Sequence, residues 1–432
     1  MGECYLKEVQ YDRMLKQMKR IYMDFASATP IDARVARAIA KALTEYPGNP
    51  SSSHAEGRKA KQAIDESRTK IARTLFCRPE ELVFTGGGTE ANHLAIQGLV
   101  RALRKRGLPY KDMHIISSTI EHASILEALE TLETDGVTVT LVPPNKEGIV
   151  EPNQIAKAVT EKTILVTLSH VNSEIGTIQP LSAISDVLQR MRRKKRKLAS
   201  LVPETSFPIL HADAAQSPLY LEAGPHALKA DLVTYDAQKM MGPKGLGILY
   251  RDFSIPLAPI LGGGTQERGV RPGTENTALI VGAGVAFEFA FKGRKERSKK
   301  IACLRDALIA LVEKNIPNAV LIGSQKHRIA NNADFAIPGV DGDYLTVLMD
   351  THGVAVSPRS ACGGTGGVIS HVVYEVTGDK DLARGTIRFS LGPSTSKTDI
   401  EKATQALLKS LRVFLDKNPL GTFELGHPTM GK

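Results

Sequence analysis

Tryptophan is absent from this 432-residue chain, and aromatic residues of all kinds make up 5% of it. Stacking bases on aromatic platforms, a common way of holding single-stranded nucleic acid, therefore has little to draw on. Cysteine is scarce as well. Cys4, Cys77, Cys303 and Cys362 are the only four, and none forms a C-x-x-C pair. Neither a zinc site nor a disulfide framework is signalled, so no metal is expected. Such usage fits a reducing compartment. No apolar run approaches the ~18 residues that a membrane span needs. The N-terminal stretch has neither the apolar core nor the small-residue cleavage site of a signal peptide. A cytoplasmic protein with no membrane role is the expectation.

What is present is ordinary globular material, 42% hydrophobic and 24% charged. The length suggests two or three domains with an ample core for each. The net charge is +10, and one run, RMRRKKRK at 190–197, holds seven of the basic residues. It reads as a solvated helix end running into a surface loop at 190–203. With no aromatic interleaved, direct nucleic-acid binding is not expected.

From about residue 80, short β-rich runs alternate with helical patterns. The runs are ELVFTG (81–86), MHIISST (113–119), VTVTLVP (137–143), TILVTLSH (163–170), FPILHAD (207–213), DLVTYDA (231–237) and LGILYRD (246–252). Alternation of this kind implies an α/β domain with a mainly parallel sheet and helices on both faces. Ligands in such sheets bind beyond the carboxyl ends of the strands. Glycines 86–88, His122, Asn172, Asp213, Gln216 and Lys239 follow strand ends and should meet in one crevice. After about residue 284 the texture changes. One long helix-like stretch, VAFEFAFKGRKERSKKIACLRDALIALVEK, leads into a second α+β pattern that ends in the helix KTDIEKATQALLKSLRVFLDK. The organisation expected is an N-terminal segment 1–30 packing with the small domain, a large domain 31–284, a small C-terminal domain 285–420 and a tail 421–432.

The chemistry follows from residue types at those strand ends. GGGTE leaves backbone N–H groups and a helix N-terminus facing an incoming anion, which suits phosphate. A tight strand–helix turn would use the same glycines. Asp213, closing an apolar strand, is costly to desolvate without a partner. That partner is an arginine, a metal or a protonated ring nitrogen, unless Asp213 serves as a helix cap. A lysine desolvated in a crevice becomes nucleophilic toward aldehydes, which is the reading of Lys239. Together these parts suit pyridoxal 5′-phosphate. Asn172 and Gln216 suit its ring oxygen, and His122 suits a stacked, proton-shuttling position. Arg388, in the strand-like TIRFSLG, offers a fork for a carboxylate. A structural ion pair is the other reading of that arginine. Cys362, among small residues in SPRSACGGTGG and near Arg359, has the setting of a reactive thiol. Cys77, Cys303 and Cys4 lie in bland contexts.

The motifs YMDFASATP, GNPSSSH, FTGGGTEANHLAI, IEHASILEA, LSHVNSEIGTIQP, HADAAQS, KMMGPKGLGILY, GGGTQERGVRPGT, SAC and RFSLG follow one another along the chain. In this order the chain resembles the cysteine desulfurases, fold-type I pyridoxal-phosphate enzymes of the class V aminotransferase superfamily. It is similar to the branch with a long cysteine loop, which serves iron–sulfur cluster assembly and tRNA thiolation. The resemblance implies a large domain with a mainly parallel seven-stranded sheet and a smaller α+β C-terminal domain. It implies Lys239 as the Schiff-base lysine, Cys362 as the persulfide-forming nucleophile and Asp213 at the pyridinium nitrogen. His122 would stack on the ring, Gly88 and Thr89 would hold phosphate, and Asn172 and Gln216 would meet the ring oxygen. Arg388, with Asn172, would bind the substrate L-cysteine. Thr274 would reach phosphate from the second subunit of a homodimer. The partner implied is a sulfur-acceptor protein, an iron–sulfur scaffold or a tRNA-thiolation enzyme.

One departure stands out. The family's Ser-x-His-Lys is here Asp236-Ala237-Gln238-Lys239. Gln238 retains an amide donor for phosphate, whereas an ionised Asp236 would repel it. Two readings follow: Asp236 turns away, or phosphate depends more on Gly88, Thr89 and Thr274. A selenocysteine lyase or class V aminotransferase on the same fold is the nearest rival activity. A cofactor-poor sulfur-relay or scaffold protein is the rival from another class.

Overall fold

The structure is a computed structural model that describes residues 20–192, 203, 205–359 and 369–417. Contacts divide the chain into two compact units. The larger holds residues 28–173 and 177–296, and the smaller holds residues up to 27, 174–176 and those from 297 onward.

Twelve strands are described. The first, β1 (Ile21–Tyr22), belongs to the smaller unit. Seven follow in the larger unit: β2 (Leu82–Thr85), β3 (His114–Ser118), β4 (Thr138–Val142), β5 (Thr163–Ser169), β6 (Ile209–Asp213), β7 (Leu232–Asp236) and β8 (Gly247–Arg251). The smaller unit adds β9 (Val320–Leu321), β10 (Asn332–Ala336), β11 (Val354–Ala355) and β12 (Thr386–Ser390).

The larger unit is built on one seven-stranded sheet in the order β2-β8-β7-β6-β5-β3-β4. Pairing is parallel from β7 through to β4, and β8 runs antiparallel to both β7 and β2. The seven strand-like runs of the sequence are its seven strands, as the α/β fold class requires. β5 is buried at every position, which its continuous apolar, β-branched run favours. β4 lies at the sheet edge and is half exposed. Helices Gly88–Lys105 and Ala123–Thr134 send Leu94, Leu99, Leu103, Ile125 and Leu129 into the core beside Ile115, Leu165, Ile209 and Leu249. Each such side chain contributes about 1.5–3 kcal/mol when fully buried. Helix Thr277–Phe291, apolar almost all round, packs against helices Ala33–Glu45 and Ala55–Leu75.

The strands of the smaller unit form two sheets. β10 is the centre of a three-stranded antiparallel sheet with β12 and β9, and β1 pairs in parallel with β11. The closing helix, Lys397–Lys417, matches its sequence pattern. The single helix expected over 285–314 is instead two, Thr277–Phe291 and Arg294–Asn315. Gly293 takes φ +67° between them, a conformation that stops an α-helix and that glycine adopts without strain. The boundary between the units falls inside the second helix.

Candidate active site

Because β2, β3, β5, β6 and β7 all run the same way, their carboxyl ends share one edge of the sheet. Each sends a different chemical group from that edge.

Lys239 sits in the short helical turn Ala237–Met240, immediately after β7. The Asp236 side chain caps this turn by accepting from Gln238 N at 3.2 Å. Thr29 clamps it from the other side. Its N donates to Gln238 O at 3.2 Å and its Oγ1 donates to the same oxygen at 2.5 Å. The same Oγ1 accepts from Met241 N at 2.8 Å. Backbone groups that no strand can pair are thereby satisfied, and the half-buried lysine is fixed at its root.

Asp213 ends β6, and both of its oxygens are engaged. Asn92 Nδ2 donates to Oδ2 at 2.8 Å, and Ala215 N donates to Oδ1 at 2.9 Å. The described residues contain no group of three or more His, Cys, Asp or Glu able to hold a metal ion. His122 caps helix Ala123–Thr134, its Nδ1 accepting from Ser124 N at 3.1 Å. That bond fixes the ring at the sheet edge. Asn172 is buried and donates through Nδ2 to Ile120 O at 2.8 Å. Gln216 is half-buried, three residues past the end of β6.

The glycines 86–88 lead into helix Gly88–Lys105. Gly86 N donates to Glu90 Oε2 at 2.6 Å, and Arg271 Nε donates to Glu90 Oε1 at 2.9 Å. This ties the mouth of the turn to the loop that carries Thr274. Gly247 on β8 lies so close that a Cβ there would stand 2.4 Å from the Gly87 carbonyl. A Cβ on Gly87 would meet nothing within 4 Å, so the turn has room on that side. Helix N-terminus, free space and glycine backbone together form an anion cradle.

The donor set fits pyridoxal phosphate. It offers an amine at Lys239, a carboxylate at Asp213, a ring at His122, an amide at Asn172 and the cradle at Gly88 and Thr89. One group in it is discordant. Asp236 does not turn away. Its Cβ and Oδ2 lie 3.2 and 3.3 Å from where a Gly88 Cβ would be. Burial pushes its carboxyl up, the neighbouring Asp213 adding to that, against the opposing pull of Gln238 and Lys239. Gln238, expected to donate to phosphate, spends its Nε2 on Asp236 Oδ2 at 2.9 Å.

Thr274 is exposed on the loop before helix Thr277–Phe291. Arg388 lies on β12 in the smaller unit and is buried, with Nη2 donating to Asp24 Oδ1 at 3.0 Å and Ser27 Oγ at 2.7 Å. Cys362 lies outside the described residues, as do Cys4, the core of the basic run and the tail. Arg359, expected to neighbour the Cys362 thiol, is buried and donates through Nη1 to both Asp343 oxygens at 3.0 Å. Cys77 is unsuited to reaction, since burial pushes its thiol up to about 12. Cys303 is exposed on helix Arg294–Asn315.

Sequence reasoning passed over Thr29, Asn92 and Glu121. Glu121 is buried between the ends of β3 and β5. It accepts from Ser118 Oγ at 2.6 Å, and from Ser169 N at 2.8 Å and Oγ at 2.5 Å. Burial pushes its carboxyl up to about 7. Its only sequence signal is a place directly before His122. Asn92 stands one helical turn after Thr89, which faces it to the same edge.

A mainly parallel seven-stranded sheet with a lysine, an aspartate and an anion cradle at one edge defines a fold-type I pyridoxal-phosphate architecture. The model of the family described as Aminotransferase class-V matches residues 21–403. The cysteine desulfurase IscS of Dictyoglomus turgidum is 37% identical over 391 residues, 90% of this chain and 94% of the relative. A solved NifS-like protein superposes with a TM-score of 0.81 at 29% identity, covering 91% of this chain and 100% of the other. A structure titled SspA in complex with cysteine gives 0.72 at 30% identity, covering 87% of this chain and 100% of the other. The chain belongs to the class-V aminotransferase family, among its cysteine desulfurases. Enzymes of this kind work with pyridoxal phosphate.

Proposed function

We propose that the chain converts L-cysteine to L-alanine and takes the sulfur onto Cys362 as a persulfide. An acceptor protein of iron–sulfur assembly or tRNA thiolation then receives it. The observation carrying this reading is the convergence of Lys239, Asp213, Asn172, His122 and the Gly88 cradle on one sheet edge.

Pyridoxal phosphate, when bound, supplies an electron sink beside the substrate's α-carbon. Lys239 would hold its aldehyde carbon, and its amine would move the substrate's α-proton. Asp213, oriented by Asn92, would pair with the ring nitrogen and would favour its protonated form. His122, Asn172 and Gln216 settle the ring, while Gly88 and Thr89 receive the phosphate. Thr274 of a second copy of the chain joins them in a homodimer. Arg388 accepts the substrate carboxylate. The Cys362 thiolate attacks the substrate sulfur: an S–S bond forms, the C–S bond breaks, and the carbon takes a proton as alanine leaves. Atoms and electrons balance with no added oxidant. The structure titled with bound cysteine belongs to a relative and supports cysteine as the substrate. A cytoplasmic setting accords with thiol chemistry, and no described helix is long and apolar enough to cross a membrane.

The alternative of a cofactor-poor relay draws on one observation, the Asp236 carboxyl against Gly88. Absorbance separates the two readings. Purified chain should be yellow, and Lys239→Ala should abolish the band. With L-cysteine and a reductant, alanine and sulfide should form in equal amounts. A colourless chain that takes up no pyridoxal phosphate contradicts the proposal.

A further inference from the structure

We propose that Asp236 is an acidic wall of the phosphate cradle, so that this chain takes up a proton on Asp236 whenever it binds the phosphate of its cofactor. The inference rests on the reading that the cradle receives pyridoxal phosphate.

The geometry is specific. Asp236 is 6% exposed, and its Cβ and Oδ2 pack against Gly88, the first residue of the helix that forms the cradle. The side chain cannot swing away cheaply. Oδ1 accepts from Gln238 N at 3.2 Å and Oδ2 accepts from Gln238 Nε2 at 2.9 Å. The backbone on either side is pinned by the pairing of Asp236 with Gly247 and by the clamp of Thr29 on Gln238. In the free protein an anion-seeking helix N-terminus therefore has a resident carboxyl beside it.

Among the described residues, two charged side chains act on this carboxyl. Lys239 favours the charged form, and Asp213 disfavours it. Burial outweighs both and already raises its proton affinity. A phosphate entering the cradle adds negative charge to the same face. That added charge favours a neutral Asp236. The neutral carboxyl keeps one oxygen as acceptor for Gln238 and offers its O–H to a phosphate oxygen, restoring the donor that this position would otherwise lack. The proton comes from solvent.

Linkage gives the consequence. Across the range between the carboxyl's proton affinity in the free and the phosphate-bound chain, the dissociation constant rises by up to about tenfold per pH unit. Asp236→Asn and Asp236→Ser lack the titrating group and should not share that slope.

The test uses full-length chain stripped of cofactor. Pyridoxal phosphate and pyridoxal are each titrated by absorbance from pH 6 to 9, for wild type, Asp236→Asn and Asp236→Ser. Circular dichroism verifies folding, and the serine variant serves should the asparagine variant misfold. Calorimetry in two buffers of different ionisation enthalpy counts protons. The expected result is a steeper loss of pyridoxal-phosphate affinity with pH in wild type than in either variant. About one extra proton should be taken up by wild type, and no such difference should appear with pyridoxal, which has no phosphate. Equal slopes and equal proton counts overturn the role of Asp236 while leaving the cofactor reading intact. Failure of wild type and folded variants to bind pyridoxal phosphate at any pH overturns both.

Discussion

Glu121 makes stability depend on pH in a direction opposite to the usual carboxylate. Its carboxyl is pushed from 4.5 up to about 7, chiefly by burial, despite donors from Ser118 and Ser169. Between those values the folded chain keeps a proton that the unfolded chain has released. Its contribution is therefore fully present below pH 4.5 and is lost as pH rises through about 7. At ~1.4 kcal/mol per pH unit, the loss amounts to about 3 kcal/mol by pH 8. Glu121→Gln should remove it. The glutamine oxygen can take the place of Oε2 and accept from Ser169 N and Oγ. Its amide can take the place of Oε1 and donate to the Ser118 hydroxyl, which also accepts. Urea denaturation of cofactor-free chain at pH 5, 6, 7 and 8 measures the difference. The variant should gain on wild type by about 2.5 kcal/mol across that range, since part of the loss already lies below pH 5. Stability curves that run parallel would refute the reasoning, because they would mean that no proton is held at Glu121.

Other expectations rest on the same unit. Burial pushes His170 and His211 from 6.5 down to about 4. The unfolded chain takes up protons there that the folded chain refuses, so stability should fall as pH drops from 6.5 through about 4. His211→Gln should flatten part of that limb in urea titrations, and an unchanged limb would contradict the assignment. Gly247→Ala sets a Cβ 2.4 Å from the Gly87 carbonyl, where backbone rather than a side-chain tip must give way. A cost of about 1–3 kcal/mol is expected. Pyridoxal-phosphate affinity should fall with it, since the cradle has to move; unchanged affinity and melting temperature would count against the packing described.

Much of the larger unit could be read in advance, for a simple reason. Its strands are short, β-branched and buried, so each announces itself locally, and groups following several parallel strands must share an edge. Lys239, Asp213 and the glycine turn were visible on those grounds. Contacts that close only in three dimensions were not. Nothing near Thr29 says that it clamps a turn more than two hundred residues away, and nothing near Asn92 says that it holds Asp213. The assignment of Glu174–Gly176 to the smaller unit is equally hidden, because it interrupts an otherwise continuous stretch. Gly293 was in plain view, yet the apolar spacing on both sides of it reads as one helix; the backbone's need for a positive φ decided otherwise. With Asp236 the residue type raised the right question, and its orientation had to come from packing against Gly88.

The most direct test follows the sulfur itself. Purified chain is given L-cysteine labelled with radioactive sulfur and separated from small molecules without reductant. The account predicts about one label per active chain, released by a thiol reductant and absent from Cys362→Ala that still shows its yellow band. Label retained equally by Cys362→Ala, or alanine formed by it at an undiminished rate, would contradict the claim that this thiol receives the sulfur.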